Sequence, residues 1–167
     1  MREPLKIKIP SMPPRRTAQH KGVFVRDGRP VFYKKSGILA EERNMVALLC
    51  AHLPEGWVPF AGPVAASIHL CYPYRKAEKR RVVASGAEIP CDTRPDLDNL
   101  AKGILDAMSA ARVWGDDGQV ARLTLEKVWG PSAYWSAEVA ELAMAALPDE
   151  DGGGNAQMAL ALEGGAA

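Results

Sequence analysis

An amphipathic segment with acidic residues at both ends constrains this chain more than any other feature. Between Arg94 and Gln119 the sequence reads RPDLDNLAKGILDAMSAARVWGDDGQ. Apolar residues recur there at helical spacing and predict one buried face, formed by Leu97, Leu100, Ala101, Ile104, Leu105, Met108 and Ala111. Pro95 disfavours helix in the residue before it, and an aspartate is a good N-cap. We therefore expect a helix that begins at about Leu97 to Asn99 and ends before Trp114, with a strand starting near Gln119.

The acids at the two ends of this helix are the candidate functional group. Asp96 and Asp98 lie at the helix start, where backbone N–H groups favour negative charge, and Asp116 and Asp117 lie where the next strand begins. Lys102 follows Asp98 by four residues, which predicts the same helical face. Acids from a helix start and a strand start can converge in space, where their negative charges repel one another. Bound Mg²⁺ would relieve this repulsion, and Lys102 would add a fixed positive charge beside it. The plainer alternative is an N-cap with a solvated neighbour.

The same residues resemble the signature of the RusA-type Holliday junction resolvases, endonucleases that cut four-way DNA junctions. That signature runs Arg/Lys-Pro-Asp-x-Asp-Asn, then a lysine, Leu-Asp-Ala, and Asp-Asp-x-Gln-Val. The chain matches it with Arg94-Pro95-Asp96-Leu97-Asp98-Asn99, Lys102, Leu105-Asp106-Ala107 and Asp116-Asp117-Gly118-Gln119-Val120. The resemblance extends from about Leu5 to Leu142 and is close only in this central stretch.

The resemblance implies a Mg²⁺-dependent endonuclease, with Mn²⁺ as a substitute ion, that acts as a homodimer on branched DNA. It implies that Asp96, Asp98 and Asp117 are catalytic carboxylates and metal ligands, and that Lys102 is the base or electrostatic partner. Asp116 would be an outer-shell group. The reaction would resolve four-way junctions by paired symmetric nicks, in DNA recombination and repair. Two alternatives stay open: a Mg²⁺-dependent nuclease acting on other branched or flap DNA, and a non-catalytic DNA-binding module.

Basic residues are concentrated in the first part of the chain. Residues 1 to 35 contain ten Lys or Arg against two acids, and no basic residue follows Lys127. This asymmetry is typical of a protein that holds phosphates on one surface, although a solvated basic face produces it as well. A basic loop precedes the acidic motif directly, which predicts phosphate contacts from Arg75, Lys76, Lys79, Arg80 and Arg81, together with Arg94.

Further DNA contacts are expected at two other places. In the resembled family a proline-bearing loop follows an early strand and lies near the active site, which implies phosphate contacts from Arg15, Arg16 and Lys21. Tyr72 and Tyr74, at the end of a predicted strand, are candidates to stack on an unpaired base, with a packing role as the alternative.

The predicted fold is one α+β domain over residues 1 to 147. We expect a RusA-like mixed β-sheet of about five to six strands packed against two main helices. Asp27-Gly28 between two apolar runs predicts a hairpin. Residues 148 to 167 form an acidic, Gly/Ala-rich tail that is expected to be disordered.

The remaining sequence signals favour a cytoplasmic protein, and the resemblance implies that it acts on nucleoid-associated DNA. The three cysteines lack C-x-x-C spacing, so the sequence predicts reduced thiols rather than a zinc site or a disulfide framework. The N-terminus lacks the apolar core of a signal peptide, and no apolar run reaches membrane-spanning length.

Overall fold

A computed structural model describes residues 2–15, 21–34 and 36–143 of the chain. The predicted tail over residues 148 to 167 and the predicted DNA contact Arg16 lie outside these residues. The elements in chain order are β1 (Leu5–Ile9), β2 (Lys21–Arg26), β3 (Arg29–Lys34), α1 (Ser36–His52), β4 (Val64–Pro73), α2 (Arg80–Ser85), β5 (Ile89–Pro90), α3 (Leu97–Ala110), a 3₁₀ turn (Asp117–Gln119), β6 (Val120–Gly130) and β7 (Tyr134–Glu141).

The main sheet has five strands in the order β1-β7-β4-β6-β5. Strands β4 and β6 are parallel, and the other neighbouring pairs are antiparallel. The crossover between the two parallel strands contains α2, β5 and α3. The predicted α+β class, the mixed sheet and the two main helices α1 and α3 are confirmed, and the short α2 is an addition.

One face of the sheet carries the hydrophobic core. In β1 the sequence LKIKI alternates, so Leu5, Ile7 and Ile9 are buried while the two lysines are exposed. The two main helices contact each other, and the apolar stripe of α3 is buried at Leu100, Ile104, Ala107 and Met108. The largest fully buried side chains are Trp114 and Trp135. The two main helices therefore cover this face of the sheet through their contacts with β1 and β6.

Strands β2 and β3 form a separate two-stranded sheet, which confirms the predicted hairpin. Its turn places Asp27 at φ 51° and Gly28 at φ 73°, the left-handed conformation that an Asp-Gly turn supplies. Several of its large apolar side chains are exposed, with Val25 at 72% and Phe32 at 66%. No helix within the described ranges combines the length and the apolarity that crossing a membrane requires.

Helix α3 runs between the two ends of the parallel strand pair. At its N-terminal end, the Lys127 side chain donates a hydrogen bond to the Pro95 carbonyl at 2.8 Å, which ties the helix start to the far part of β6. At its C-terminal end, the Trp114 indole donates to Ser109 Oγ at 2.8 Å, and Trp114 forms a β-bridge with Phe60 just before β4. A helix of 14 residues spans about 21 Å. The fold therefore places the two ends of the acidic motif at different ends of α3.

Candidate active site

Asp96 is the N-cap residue of α3, yet its carboxylate does not cap the helix. Its backbone is extended, at φ −69° and ψ 146°, and its carbonyl accepts the first helical hydrogen bond from the Leu100 N–H at 3.1 Å. No side-chain capping bond is formed. Asp98 lies in the first helical turn, and both aspartates are exposed. The two carboxylates thus lie at the positive end of the helix and are free to bind another ligand.

Asp116 and Asp117 differ in what their side chains do. Asp116 caps the 3₁₀ turn, because its Oδ1 accepts a hydrogen bond from the Gly118 N–H at 2.8 Å. Gln119 completes a capping box, since its Oε1 accepts from the Asp116 N–H at 3.0 Å. The carboxylate of Asp117, the first residue of the turn, is exposed. The structure therefore separates a structural aspartate from a free one at adjacent positions.

Gln119 fixes this turn to the rest of the fold. Its Nε2 donates to the carbonyl oxygens of Phe60 at 3.1 Å and Gly62 at 3.0 Å, while its Oε1 also accepts from the Gly115 N–H at 2.8 Å. In the sequence, Gln119 is recognisable only as a motif position. The signal for its role was the Asp-x-x-Gln spacing, which is the capping-box pattern.

Free carboxylates distinguish three aspartates from the others. Among the seven aspartates that the structure describes, Asp27 and Asp92 pair with arginines, Asp106 pairs with a lysine and Asp116 caps a turn. The three whose carboxylates have no hydrogen bond or ion pair to another described residue are Asp96, Asp98 and Asp117. A carboxylate without a protein partner keeps its oxygens available for a cation or for water.

Lys102 pairs with the acid that follows it. Its Nζ lies 3.3 Å from Asp106 Oδ1, one turn further along α3, and its side chain is 67% exposed. The helical spacing from Asp98 is as predicted, but the ammonium group points toward the C-terminal side of the helix. Since an exposed ion pair of this kind contributes little energy, Lys102 can exchange Asp106 for another anion.

The three free aspartates do not form one cluster within a single chain. Asp96 and Asp98 lie at the start of α3, whereas Asp117 follows its C-terminal end. Within residues 2–15, 21–34 and 36–143, no group of three or more His, Cys, Asp or Glu side chains is arranged to hold a metal ion. The expectation that the acids of the helix start and the strand start meet at one point is therefore not met in the single chain, because the length of α3 intervenes.

Comparison with known proteins identifies the family. The family model of the endodeoxyribonuclease RusA matches residues 11–140. The chain belongs to the RusA family. A crossover junction endodeoxyribonuclease of Lactococcus phage r1t is 28% identical over 112 residues, which cover 67% of this chain and 79% of that protein. The resemblance found in the motif is confirmed, and this RusA-family chain is an endonuclease that hydrolyses DNA.

The donor atoms of this RusA-family site suit a hard divalent cation. Mg²⁺ takes oxygen ligands, keeps several waters and is commonly held by one or two carboxylates together with phosphate oxygens. Asp96 and Asp98 offer such carboxylates at one helix start, where neither is used in an ion pair with the described residues. The pair fits Mg²⁺ by its chemistry, and Asp117 could join it only from another chain or after a rearrangement.

The basic segment of this RusA-family chain, which runs from Arg75 to Arg81, leaves the sheet at the same end as Asp96. It follows β4, the parallel neighbour of β6, and returns through β5, which pairs with β6 next to Lys127. Arg75 is engaged within the protein, because its Nε lies 2.6 Å from Glu78 Oε1 and its guanidinium lies 3.7 Å from Asp92. The other predicted contacts here are exposed and have no ion pair within the described part of the chain: Lys76, Lys79, Arg80, Arg81 and Arg94.

Of the two predicted DNA contacts Arg15 and Lys21, the structure describes the side chain of Arg15 alone. The Arg15 side chain is exposed, and its backbone N–H donates to Glu41 Oε1 at 2.5 Å. Lys21 begins β2, but its side chain lies outside what the structure describes. The DNA-contact role of both residues stays a prediction.

The tyrosines at the end of β4 also differ. Tyr72 is only 3% exposed, its hydroxyl donates to the Pro14 carbonyl at 2.6 Å, and burial raises the pKa of its phenol. Of the two roles left open for Tyr72, packing is confirmed and base stacking is wrong, because its ring belongs to the core. Tyr74 is partly exposed, and its hydroxyl donates to the Ala87 carbonyl at 2.6 Å, so its stacking role stays a prediction.

A second polar cluster lies on the face of the sheet opposite the helices. His69 lies between two acids, with Nδ1 at 3.1 Å from Glu126 Oε2 and Nε2 at 3.1 Å from Glu88 Oε2. The Tyr134 hydroxyl donates to Glu88 Oε1 at 2.7 Å, which lowers the pKa of Glu88 and raises that of Tyr134 to about 12. No sequence pattern predicts a role for these residues. Their contacts join β4, β6, β7 and the segment before β5, which indicates a structural function.

Proposed function

We propose that this chain is a Mg²⁺-dependent endonuclease that resolves four-way DNA junctions by paired symmetric nicks, in recombination and repair. The observation that supports this function best is the state of the motif carboxylates. Within the part of the chain that the structure describes, the carboxylates of Asp96, Asp98 and Asp117 have no hydrogen bond or ion pair, whereas the adjacent motif acid Asp116 caps a turn. A fold that only needed these acids for capping would engage their oxygens with backbone N–H groups.

Each residue has a separate role in the proposed reaction. Asp96, Asp98 and Asp117 would hold Mg²⁺, or Mn²⁺ in its place, and the bound ion would polarise the phosphate and favour ionisation of a water. The N–H groups at the start of α3 orient a phosphate beside Asp98. Lys102 supplies positive charge where the transition state gathers negative charge. Asp116 and Gln119 keep the turn that carries Asp117 in place.

The substrate and the geometry both favour a homodimer. Two symmetric nicks require two sites related by a two-fold axis, which a homodimer supplies. In one chain, Asp117 follows the far end of α3 from Asp96 and Asp98. We infer that each site of the dimer combines Asp96 and Asp98 of one subunit with Asp117 of the other.

Subunit mixing tests this shared site. Asp98→Asn and Asp117→Asn are each expected to be inactive alone. If the site is shared, a mixed dimer contains one unaltered site and one doubly altered site, so mixing restores a single nick per junction. If all three acids act within one subunit, every site of the mixed dimer carries one substitution and no activity returns. A monomer in sedimentation velocity at assay concentration would also contradict the proposal.

The exposed cations of the basic segment are proposed to hold phosphates of a junction arm. Each phosphate contact lowers the slope of log K against log salt concentration by about 0.9 on duplex DNA. Replacing Lys79, Arg80 and Arg81 with glutamate should therefore weaken binding and flatten the slope. Lys6→Glu, which alters an exposed lysine on β1, is the control. An unchanged slope in the triple variant would remove this segment from the DNA interface.

Junction selectivity distinguishes the proposal from its alternatives. Labelled four-way junctions, flaps and duplexes of matched sequence should be incubated with the protein and Mg²⁺. The proposal predicts symmetric nicks in the junction alone. Equal cutting of flaps would support a nuclease for other branched DNA, and binding without cutting of any substrate would support a non-catalytic module.

A further inference from the structure

Lys127 makes contacts that neither the motif nor the proposed chemistry explains. It is half-buried on the helix-facing side of β6, and its Nζ donates to the carbonyl oxygens of Thr93 and Pro95, the second at 2.8 Å. Its own carbonyl accepts a hydrogen bond from the Cys91 N–H at 3.1 Å. The side chain and the backbone of one residue therefore hold the segment that leads from β5 to Asp96.

The partners of this ammonium group are unusual for a lysine. Within the described ranges it has no carboxylate in ion-pair contact, and two backbone carbonyl dipoles balance its charge instead. Hydrogen bonds from a charged donor are shorter and stronger than those from a neutral one. A lysine that served only to cover the sheet would place its charge in water, so the two hydrogen bonds of this half-buried side chain point to a role in holding their acceptors.

The second acceptor links Lys127 to the acidic end of α3. The Pro95 carbonyl belongs to the peptide unit that ends at the Asp96 nitrogen and Cα, and a peptide unit is planar. Fixing that carbonyl therefore fixes the start of Asp96. The Asp96 carbonyl in turn accepts the first helical hydrogen bond from the Leu100 N–H at 3.1 Å. The chain of contacts runs from β6 through Pro95 to the helix turn that carries Asp98.

We propose that Lys127 is a positioning residue for the catalytic end of α3. It touches neither the DNA nor the ion, and it acts by holding the Thr93 and Pro95 carbonyls so that the carboxylates of Asp96 and Asp98 face a common point. The catalytic part of this inference rests on the proposed junction cleavage. The structural part does not, because it concerns the order of the helix start.

Three variants test the proposal. Lys127→Met keeps the apolar stem and removes the donors, Lys127→Arg keeps a charged donor, and Lys6→Met is the control on the other face of the sheet. Amide hydrogen exchange should be measured at Leu100 and at buried positions of β4. Initial rates of nicking at multiple turnover should be measured across a range of junction concentrations, to separate kcat from KM.

The expected pattern is local. In Lys127→Met, exchange at Leu100 should accelerate roughly tenfold while β4 is unchanged, and kcat should fall by about 10- to 100-fold with little change in KM, as for groups that orient metal ligands. Lys127→Arg should recover most of the rate, and Lys6→Met should match the wild type.

Two results would overturn the inference. One is a Lys127→Met protein with wild-type exchange at Leu100 and wild-type kcat. The other is exchange that accelerates throughout the sheet, with a rate loss that equals the unfolded fraction, because Lys127 would then only stabilise the fold. If the wild type fails to cut junctions, the proposed function fails, and exchange at Leu100 still decides whether Lys127 orders the helix start.

Discussion

Adjacent aspartates with opposite roles provide the sharpest test of the candidate site. Asp116→Ala removes the acceptor of the Gly118 N–H and one half of the capping box with Gln119. Loss of such a cap costs about 1 kcal/mol, which lowers the melting temperature of a chain of this size by about 2–4 °C. The Asp117 side chain has no hydrogen bond or ion pair with the described residues. The effect of Asp117→Ala on the free energy of unfolding should therefore stay within about 0.5 kcal/mol.

Activity should show the reverse order. Asp117→Ala removes a metal-ligand carboxylate and should lower the nicking rate by roughly 100-fold or more, as for loss of a strong transition-state interaction. Asp116→Asn keeps an oxygen that can accept from Gly118 and should be close to wild type in stability and rate. Thermal unfolding by circular dichroism and single-turnover nicking at 25 °C separate the two effects. If Asp116→Ala is as stable as the wild type, or if folded Asp116→Asn is as inactive as Asp117→Ala, the division of roles is wrong.

Three further predictions concern the titratable groups and Lys102. Tyr134→Phe removes the hydrogen bond that lowers the pKa of Glu88. Because the pKa of Glu88 is lower in the folded state than in the unfolded state, this bond stabilises the fold above the unfolded-state pKa, and the stabilisation is lost as pH falls through the folded-state pKa. The deficit of the variant in melting temperature should therefore be larger at pH 7 than at about pH 3, and equal deficits would contradict this. Burial raises the pKa of Cys71 to about 11, whereas Cys50 is exposed. Iodoacetamide at pH 7 should therefore modify Cys50 and leave Cys71 intact, as read from peptide mass spectra. Alkylation of Cys71 in the native protein would refute its burial. Lys102→Ala should lower the nicking rate more than junction affinity in binding titrations, and the opposite order would make Lys102 a phosphate contact.

Elements with a strong local pattern were predictable from the sequence. The helix expected from about Leu97 to before Trp114 is observed as Leu97–Ala110, because its apolar stripe and the Pro95-Asp96 pair before it are both local signals. The alternating β1 and the Asp-Gly hairpin were predictable for the same reason. In each case the residues that determine the element lie inside it.

Features that depend on distant partners were not predictable. The sequence predicts a basic loop directly before the acidic motif, but α2 and β5 form there. Strand β5 depends on the pairing of Ile89 and Pro90 with β6. The position of Tyr72 at a strand end leaves base stacking and packing open, and packing is decided by two distant partners, the Pro14 carbonyl and the ring of Trp129. Spacing also could not show that α3 separates Asp117 from Asp98, since that depends on how the crossover packs.

Metal-dependent nicking of a labelled four-way junction by the wild type and by Asp98→Asn decides whether the free carboxylates of the motif hold a catalytic ion. Asp98→Asn keeps the shape of the side chain and removes one anionic ligand. The account predicts symmetric nicks by the wild type only with Mg²⁺ or Mn²⁺, and unchanged junction affinity in Asp98→Asn with nicking lowered by roughly 100-fold or more. Wild-type nicking without a divalent ion, or nicking by Asp98→Asn at the wild-type rate, would contradict it.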